Sequence, residues 1–212
     1  LFLQAAIAYV VSEDPGPSLL LQPNNDDAKA FSRERLDPMA RDCPCLKGRI
    51  TEPKSRDGTN TLVHKTFPGG SLSLTGTLVP GNLARRSIRY LFADEIDLYP
   101  ISAGGKGDPI VLAEERQSTY QTRRKSIFAC SPTTLNKSAI ARRYAASDQR
   151  KPWARCHKCG RAQILKWAYV KWDNSLPVEL VGPTVRYECQ FCREPWNDLQ
   201  RKAACDKAEW RA

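Results

Sequence analysis

The stretch Arg89–Pro100, R-Y-L-F-A-D-E-I-D-L-Y-P, limits this chain's fold more than any other. Tyr90, Leu91, Phe92 and Ala93 form a short apolar run with charge on both sides. Such a run fits a strand buried on both faces in a parallel sheet, although periodicity alone leaves a buried helix open. Asp94 and Glu95 follow where that strand would end, and ligands in open α/β sheets sit just outside the carboxyl ends of strands. An Asp there can hold Mg²⁺ through water, and the next Glu can polarise a water for attack on a γ-phosphate. This is the Walker B arrangement of nucleotide hydrolases. The same two residues also commonly open a loop or cap a helix, so the rest of the chain has to decide.

Around this stretch the elements alternate. Leu3, Ile7, Val10 and Val11 recur at helical intervals within Leu1–Val11, and Glu13-Asp14-Pro15-Gly16-Pro17 ends that helix. Ser18–Gln22 reads as a strand stopped by Pro23. Asn24-Asn25-Asp26-Asp27 then offers an N-cap and an acidic first turn for a helix to about Met39. Thr61–Phe67 and Ser71–Thr75 flank Pro68-Gly69-Gly70 as a β-hairpin. After the Gly-rich break at Gly104, Gly105 and Gly107, Asp108 caps a helix with Pro109 in its first turn. That helix carries Ile110, Leu112, Ala113, Arg116 and Tyr120, and Arg123-Arg124-Lys125 is expected to close it. Ser126–Cys130 reads as another strand, ending in Ser131-Pro132-Thr133-Thr134. These hydroxyls are placed to sense a γ-phosphate or to cap the helix at Lys137–Ala146, and the two roles are compatible.

At 212 residues the chain can bury one substantial core plus a small satellite. Its 41% hydrophobic and 26% charged residues are ordinary for a soluble globular protein, and no apolar run reaches the ~20 residues that cross a bilayer. No basic leader or cleavage pattern marks a signal peptide, and the opening reads as a helix entered part-way, in a fragment of a longer polypeptide. The net charge of +10 favours a polyanionic partner such as nucleic acid. Arg85, Arg86, Arg89, Arg116, Arg123, Arg124, Arg142 and Arg143 gather after the hairpin.

Four of the 8 cysteines form two C-x-x-C pairs, Cys156 with Cys159 and Cys189 with Cys192. Each pair can present two thiolates to one ion, which points to a structural tetrahedral Zn²⁺ site with no open position for substrate. His157 reads as a neighbour, because four cysteines already fill the shell. Cys43-Pro44-Cys45 has no nearby third ligand and reads as a weak metal candidate. A reducing compartment is implied rather than a disulfide framework.

The ordered series of motifs resembles the large subunit of the phage lambda-like DNA-packaging terminase. The matching segments are A-Y-V-V-S-E-D-P-G-P, L-L-L-Q-P, F-P-G-G, Y-L-F-A-D-E-I-D-L-Y-P, G-D-P-I-V-L-A-E-E-R and S-P-T-T. They continue through C-H-K-C-G, L-K-W, V-K-W-D and Y-E-C-Q-F-C to E-W-R-A. The resemblance implies a doubly wound, mostly parallel α/β sheet of P-loop ATPase type over residues 1–150, with a small β-rich zinc ribbon over 151–212. It implies an ATP-driven motor that pulls double-stranded viral DNA into procapsids, followed in the same polypeptide by a Mg²⁺-dependent endonuclease. It further implies a homo-oligomer working with the terminase small subunit and the portal in the host cytoplasm, and no membrane.

Carried onto this sequence, Asp94 is the Mg²⁺ ligand, Glu95 the catalytic carboxylate, and Ser131-Pro132-Thr133 the motif coupling hydrolysis to DNA movement. Ser131 and Thr133 then stand near the nucleotide with Asp94. A transition-state arginine, in the chain or from a neighbouring subunit, is sought among Arg85, Arg86 and Arg116. The family's phosphate-binding loop is expected before the opening helix, since no G-x-x-x-x-G-K-[ST] occurs in these residues. The 212 residues alone are therefore expected to hydrolyse ATP negligibly. A non-catalytic zinc-ribbon module for nucleic acid and a helicase-like ATPase are the alternatives.

Overall fold

The computed structural model describes residues 2–50, 60–134 and 137–212. Leu1 of the expected first helix and the polar loop at 51–59 lie outside the described residues. The chain divides into two compact units, Leu1–Arg143 and Tyr144–Ala212.

The first unit is built on a five-stranded sheet: β1 Pro17–Gln22, β2 His64–Phe67, β3 Gly70–Gly76, β4 Tyr90–Asp94 and β5 Lys125–Ala129. Their spatial order is β2-β3-β1-β4-β5. Only the hairpin pair β2–β3 is antiparallel, and β3–β1, β1–β4 and β4–β5 run parallel. Pro68 and Gly69 make the hairpin's two-residue turn, and Gly69 takes φ 81°, the left-handed value that a type II turn requires at its second central position. All four apolar residues of β4 are buried, as a central parallel strand requires.

Helices cover both faces. On one, Leu3, Ile7, Val10 and Val11 of α1 (Phe2–Ser12) pack with Leu20, Leu72, Leu74, Tyr90 and Phe92. Ala28 of α2 (Asn25–Phe31) and Leu36 join them. Asn24 caps α2, its side chain accepting from the N–H groups of Asp26 and Asp27. A π-helical turn, Ser32–Leu36, then carries the chain into α3 (Asp37–Asp42). On the other face Leu19, Leu21, Leu91 and Ala93 pack with Leu83 of α4 (Pro80–Leu83) and with Ile110 and Ala113 of α5 (Pro109–Glu114). The fold is therefore doubly wound.

The first hairpin strand starts at His64 rather than Thr61, and the segment after Pro109 also differs from the sequence expectation. The helix begun at Pro109 is α-helical only to Glu114 and continues as a 3₁₀ turn to Tyr120, so Arg123–Lys125 does not close it. Lys125 instead opens β5, which pairs Tyr90 with Lys125. The side-chain amide of buried Gln117 explains the tightening, since it donates to the carbonyls of both Arg89 and Lys125 and binds this segment to two strand starts.

Helix α6 (Ala139–Ala145) spans the boundary between the units. The second unit holds two small three-stranded sheets. One joins β6 (Lys151–Arg155), β7 (Ala162–Gln163) and β11 (Glu209–Arg211), and the other β8 (Val170–Lys171), β9 (Arg186–Glu188) and β10 (Pro195–Trp196). Helix α7 (Val178–Val181) lies between β8 and β9. Helix α8 (Asp198–Asp206) carries a capping box between Asn197 and Gln200. Its core is small: Cys156, Cys189, Tyr187 and Trp196 are buried together. Among the described residues no helix is long and apolar enough to cross a membrane.

Candidate functional site

Strand order fixes where a ligand crevice can open. From β1 the chain proceeds to the β2–β3 hairpin on one side, and from β4 to β5 on the other, so connections diverge between β1 and β4. A crevice forms outside the carboxyl ends of strands at such a switch point. The residues that end those strands here are Gln22 and Asp94.

Gln22 is buried, and its Nε2 donates to Asp94 Oδ2 at 3.3 Å. That bond holds the half-buried carboxylate at the strand end. Glu95, the next residue, has φ 52° and ψ 46°. A left-handed conformation costs a non-glycine residue about 1 kcal/mol, so the surroundings must enforce it. The N–H of Leu98 donates to the Glu95 carbonyl at 2.9 Å, closing the turn that follows. The result breaks the strand abruptly and leaves the Glu95 side chain exposed beside the half-buried Asp94. Tyr99 closes this end, its hydroxyl donating to the Leu21 carbonyl at 2.9 Å. Burial, then the negative charge of Asp94, push the Tyr99 phenol far up, so it stays a donor.

Asp97 is the residue that sequence reasoning passed over. Its Oδ2 accepts from both the N–H and the hydroxyl of Thr133, each at 3.0 Å, and its Oδ1 accepts from the N–H of Ile140 at 3.0 Å. Burial works to raise its pKa, but the donors from Ile140, Ser138 and Thr133 outweigh it and hold the carboxyl well below its ordinary 3.8. Thr133 thus lies at the carboxyl end of β5 with its hydroxyl already engaged, while Ser131 is exposed. Cys130 lies between the two parts, its Sγ 3.7 Å from Glu95 Oε2 and accepting from the Asp97 N–H at 3.4 Å. Burial first, and then the charge of Asp97, push this thiol's pKa up.

The candidate arginines are placed apart. Arg116 Nη2 pairs with Glu115 at 3.2 Å, whereas Arg85 and Arg86 line a groove over β1 and β3 that includes neither Asp94 nor Glu95.

In the second unit the sulfur atoms of Cys156, Cys159, Cys189 and Cys192 all lie within 4.8 Å of one another. Cys156 and Cys192 are 3.7 Å apart, and Cys159 and Cys189 3.9 Å. A tetrahedral ion with Zn–S bonds of about 2.3 Å separates its sulfurs by about 3.8 Å, so four thiolates in this geometry fit one. The two knuckles repeat one backbone form. Gly160 N–H donates to the Cys156 carbonyl at 2.9 Å, and Arg193 N–H to the Cys189 carbonyl at 3.1 Å. Gly160 and Arg193 both have positive φ, 70° and 62°. His157 is outside the sulfur cluster and packs edge-on against Trp196, with ring centroids 5.9 Å apart. The Cys43 and Cys45 sulfurs are 3.2 Å apart, and among the described residues no third metal-ligating side chain joins them.

Residues 1–210 match the family model described as phage terminase large subunit gpA, ATPase domain. Among solved structures, the large terminase ATPase domain of Thermus phage P74-26 is similar at TM-score 0.43 and 13% identity, over 63% of this chain and 55% of that one. An arginine-to-alanine mutant of that domain gives the same values. The chain thus matches only about half the length of those structures. No curated protein matches it. The chain belongs to the family of phage terminase large subunit gpA ATPase domains.

Proposed function

We propose that these residues are part of the ATP-hydrolysing motor that packages viral double-stranded DNA into procapsids. The observation that carries this reading is Asp94–Glu95 at the carboxyl end of β4, beside the end of β1 and bonded through Asp97 to the loop after β5. In this reading Asp94 holds hydrated Mg²⁺, with Gln22 fixing its second oxygen. Glu95, held outward by its left-handed backbone, orients the attacking water. When bound, Mg²⁺ neutralises charge that develops on the phosphates of ATP. Asp97 keeps Ser131-Pro132-Thr133 in register with Glu95, so that a change at either carboxylate is felt in the loop. Cys156, Cys159, Cys189 and Cys192 hold a structural Zn²⁺, which supplies stability that so small a core lacks.

The intact subunit is proposed to oligomerise, to act with a small subunit and portal in the host cytoplasm, and to carry an endonuclease beyond these residues. These 212 residues alone hydrolyse ATP negligibly, because no phosphate-binding loop sequence lies within them. Duplex-stimulated ATP turnover by the intact subunit, with no strand separation of a forked substrate, is the outcome a packaging motor gives. ATP-dependent strand separation would favour a helicase-like enzyme instead, and duplex binding indifferent to ATP would favour a non-catalytic module.

A further inference from the structure

A groove of ≈ 400 Å³ lies over β1 and β3. Its origin is a change of residue type along β3. The register sets Ser71 opposite Pro17 and Ser73 opposite Leu19, on the sheet face that α4 and α5 cover elsewhere. The alternate residues, Leu72 and Leu74, enter the core of the other face. Hydroxyls thus stand where an apolar core would need leucines, and the face stays open above them. Leu19, Leu83 and Ile88 form an apolar wall, and the segment after α4 brings Arg85 and Arg86 to the rim.

The groove is one-signed. Among the described residues that line it, Lys29, Arg85 and Arg86 are charged and none is Asp or Glu. Among the described residues Arg85 has no ion pair. Arg86 Nη1 is 3.5 Å from His64 Nδ1, which in turn is 3.0 Å from Ser73 Oγ. Burial and then the Arg86 charge hold the His64 pKa below 6.5, so the ring is a neutral hydrogen-bonding group at pH 7. Among the described residues Lys29 pairs with Asp26 alone, whose side chain is 91% exposed, so water screens that contact. The volume is in the range that holds a small ligand, with an apolar body side and a cationic, hydroxyl-bearing side.

We propose that this groove binds a nucleotide unit by its phosphate, with Arg85 and Arg86 on the phosphate oxygens and the Leu19–Leu83–Ile88 wall against the sugar or base. Guanidinium groups suit that role because their N–H forks match phosphate geometry. A free mononucleotide and a nucleotide within a DNA strand present the same chemistry. The site shares no residue with Asp94, Glu95, Asp97 or the four cysteines; Arg85 and Arg86 are also candidates for the transition-state arginine, and Ser73→Leu tests the groove without touching either.

The test titrates the chain with deoxyadenosine monophosphate by calorimetry, and with a fluorescein-labelled DNA duplex by anisotropy at several salt concentrations. Four proteins are compared: wild type, Arg85→Ala with Arg86→Ala, Ser73→Leu, and Arg33→Ala with Arg35→Ala. The Ser73 change fills the groove without altering charge. The last pair removes two exposed charges from the π-helical turn Ser32–Leu36, outside the groove. Binding in one arm that weakens about tenfold or more in the first two variants and not in the third supports the site, and the responding arm identifies the source. In the duplex arm the salt slope also falls by about 2 for the arginine pair. No binding in either arm, equal loss in the Arg33/Arg35 variant, or full binding by Ser73→Leu with its thermal unfolding unchanged would overturn it.

Discussion

Asp97 and Thr133 are joined twice. One carboxylate oxygen takes both the N–H and the hydroxyl of Thr133 at 3.0 Å. Because Asp97 stands two residues after Glu95, the strand-end carboxylates and the loop after β5 share one anchor. The second oxygen extends that anchor to the start of α6 through Ile140.

Replacing Asp97 with Ala should release that loop without unfolding the sheet. Amide hydrogen exchange at Thr133 and Ile140 should rise about tenfold or more, while Leu20 and Leu91 stay protected. Thr133→Val, which keeps the N–H bond and loses the hydroxyl's, should fall between. Unchanged exchange in Asp97→Ala would show that the loop is held by something else.

Acid should loosen this unit at two places. The Tyr90 hydroxyl, at 2.6 Å, and the paired Arg89 guanidinium, at 2.7 and 2.8 Å, hold the Asp14 carboxyl below its ordinary 3.8. Asp97 is lowered likewise. A carboxyl more acidic when folded contributes stability that is complete above the unfolded value and lost as pH falls through the folded one. Thermal midpoints should therefore drop below about pH 4, and Asp14→Asn should flatten part of that drop. An Asp14→Asn protein with the full wild-type acid dependence would contradict the assignment.

Removing metal should act locally. With one Zn²⁺ per chain, chelation or Cys189→Ser should open residues 153–212 to protease while Phe2–Asp94 stays protected. Trp196, fully buried in that core, should shift its fluorescence to the red on chelation. Protease protection lost uniformly along the chain, or no bound metal, would contradict a separate structural ion.

Gly76 should tolerate no side chain. A Cβ there would lie 2.4 Å from the Asn24 carbonyl carbon and 2.5 Å from the Asn25 nitrogen. The same closeness lets Asn25 Oδ1 accept from the Gly76 N–H at 2.8 Å, tying β3 to the start of α2. Gly76→Ala should cost about 1–3 kcal/mol by overpacking, and fully buried Leu91→Ala about 2–5 kcal/mol, in denaturant unfolding. A neutral Gly76→Ala would mean that the two segments can separate cheaply.

Much of this was readable in the residues, for local reasons. The period of α1, the Asn24 and Asp108 caps, the Pro68-Gly69 turn and the paired C-x-x-C knuckles each declare themselves within a few positions. What sequence did not disclose depends on partners far along the chain. Asp97 reads as one more acid in D-E-I-D until folding brings Thr133 and Ile140 to it. Lys65 sits in a polar-looking hairpin strand, yet its side chain is 1% exposed and its charge is met by Asp37 at 2.8 Å. Gln117 gives no periodic signal, and its two bonds to strand carbonyls turn an expected α-helix into a 3₁₀ ending. The groove beside β3 was hidden for the same reason, since Ser71 and Ser73 acquire meaning only from their register with β1.

The most direct test is ATP turnover by the intact large subunit carrying Glu95→Gln, with nucleotide binding measured on the same protein. The change keeps shape and hydrogen bonding but removes the charge that would orient water. Turnover should fall about 100-fold or more while ATP still binds, a loss of the size expected for a group that acts on the reacting water. Turnover within about twofold of wild type would show that Glu95 does not act on water, and the strand-end carboxylates would no longer stand as the hydrolytic site.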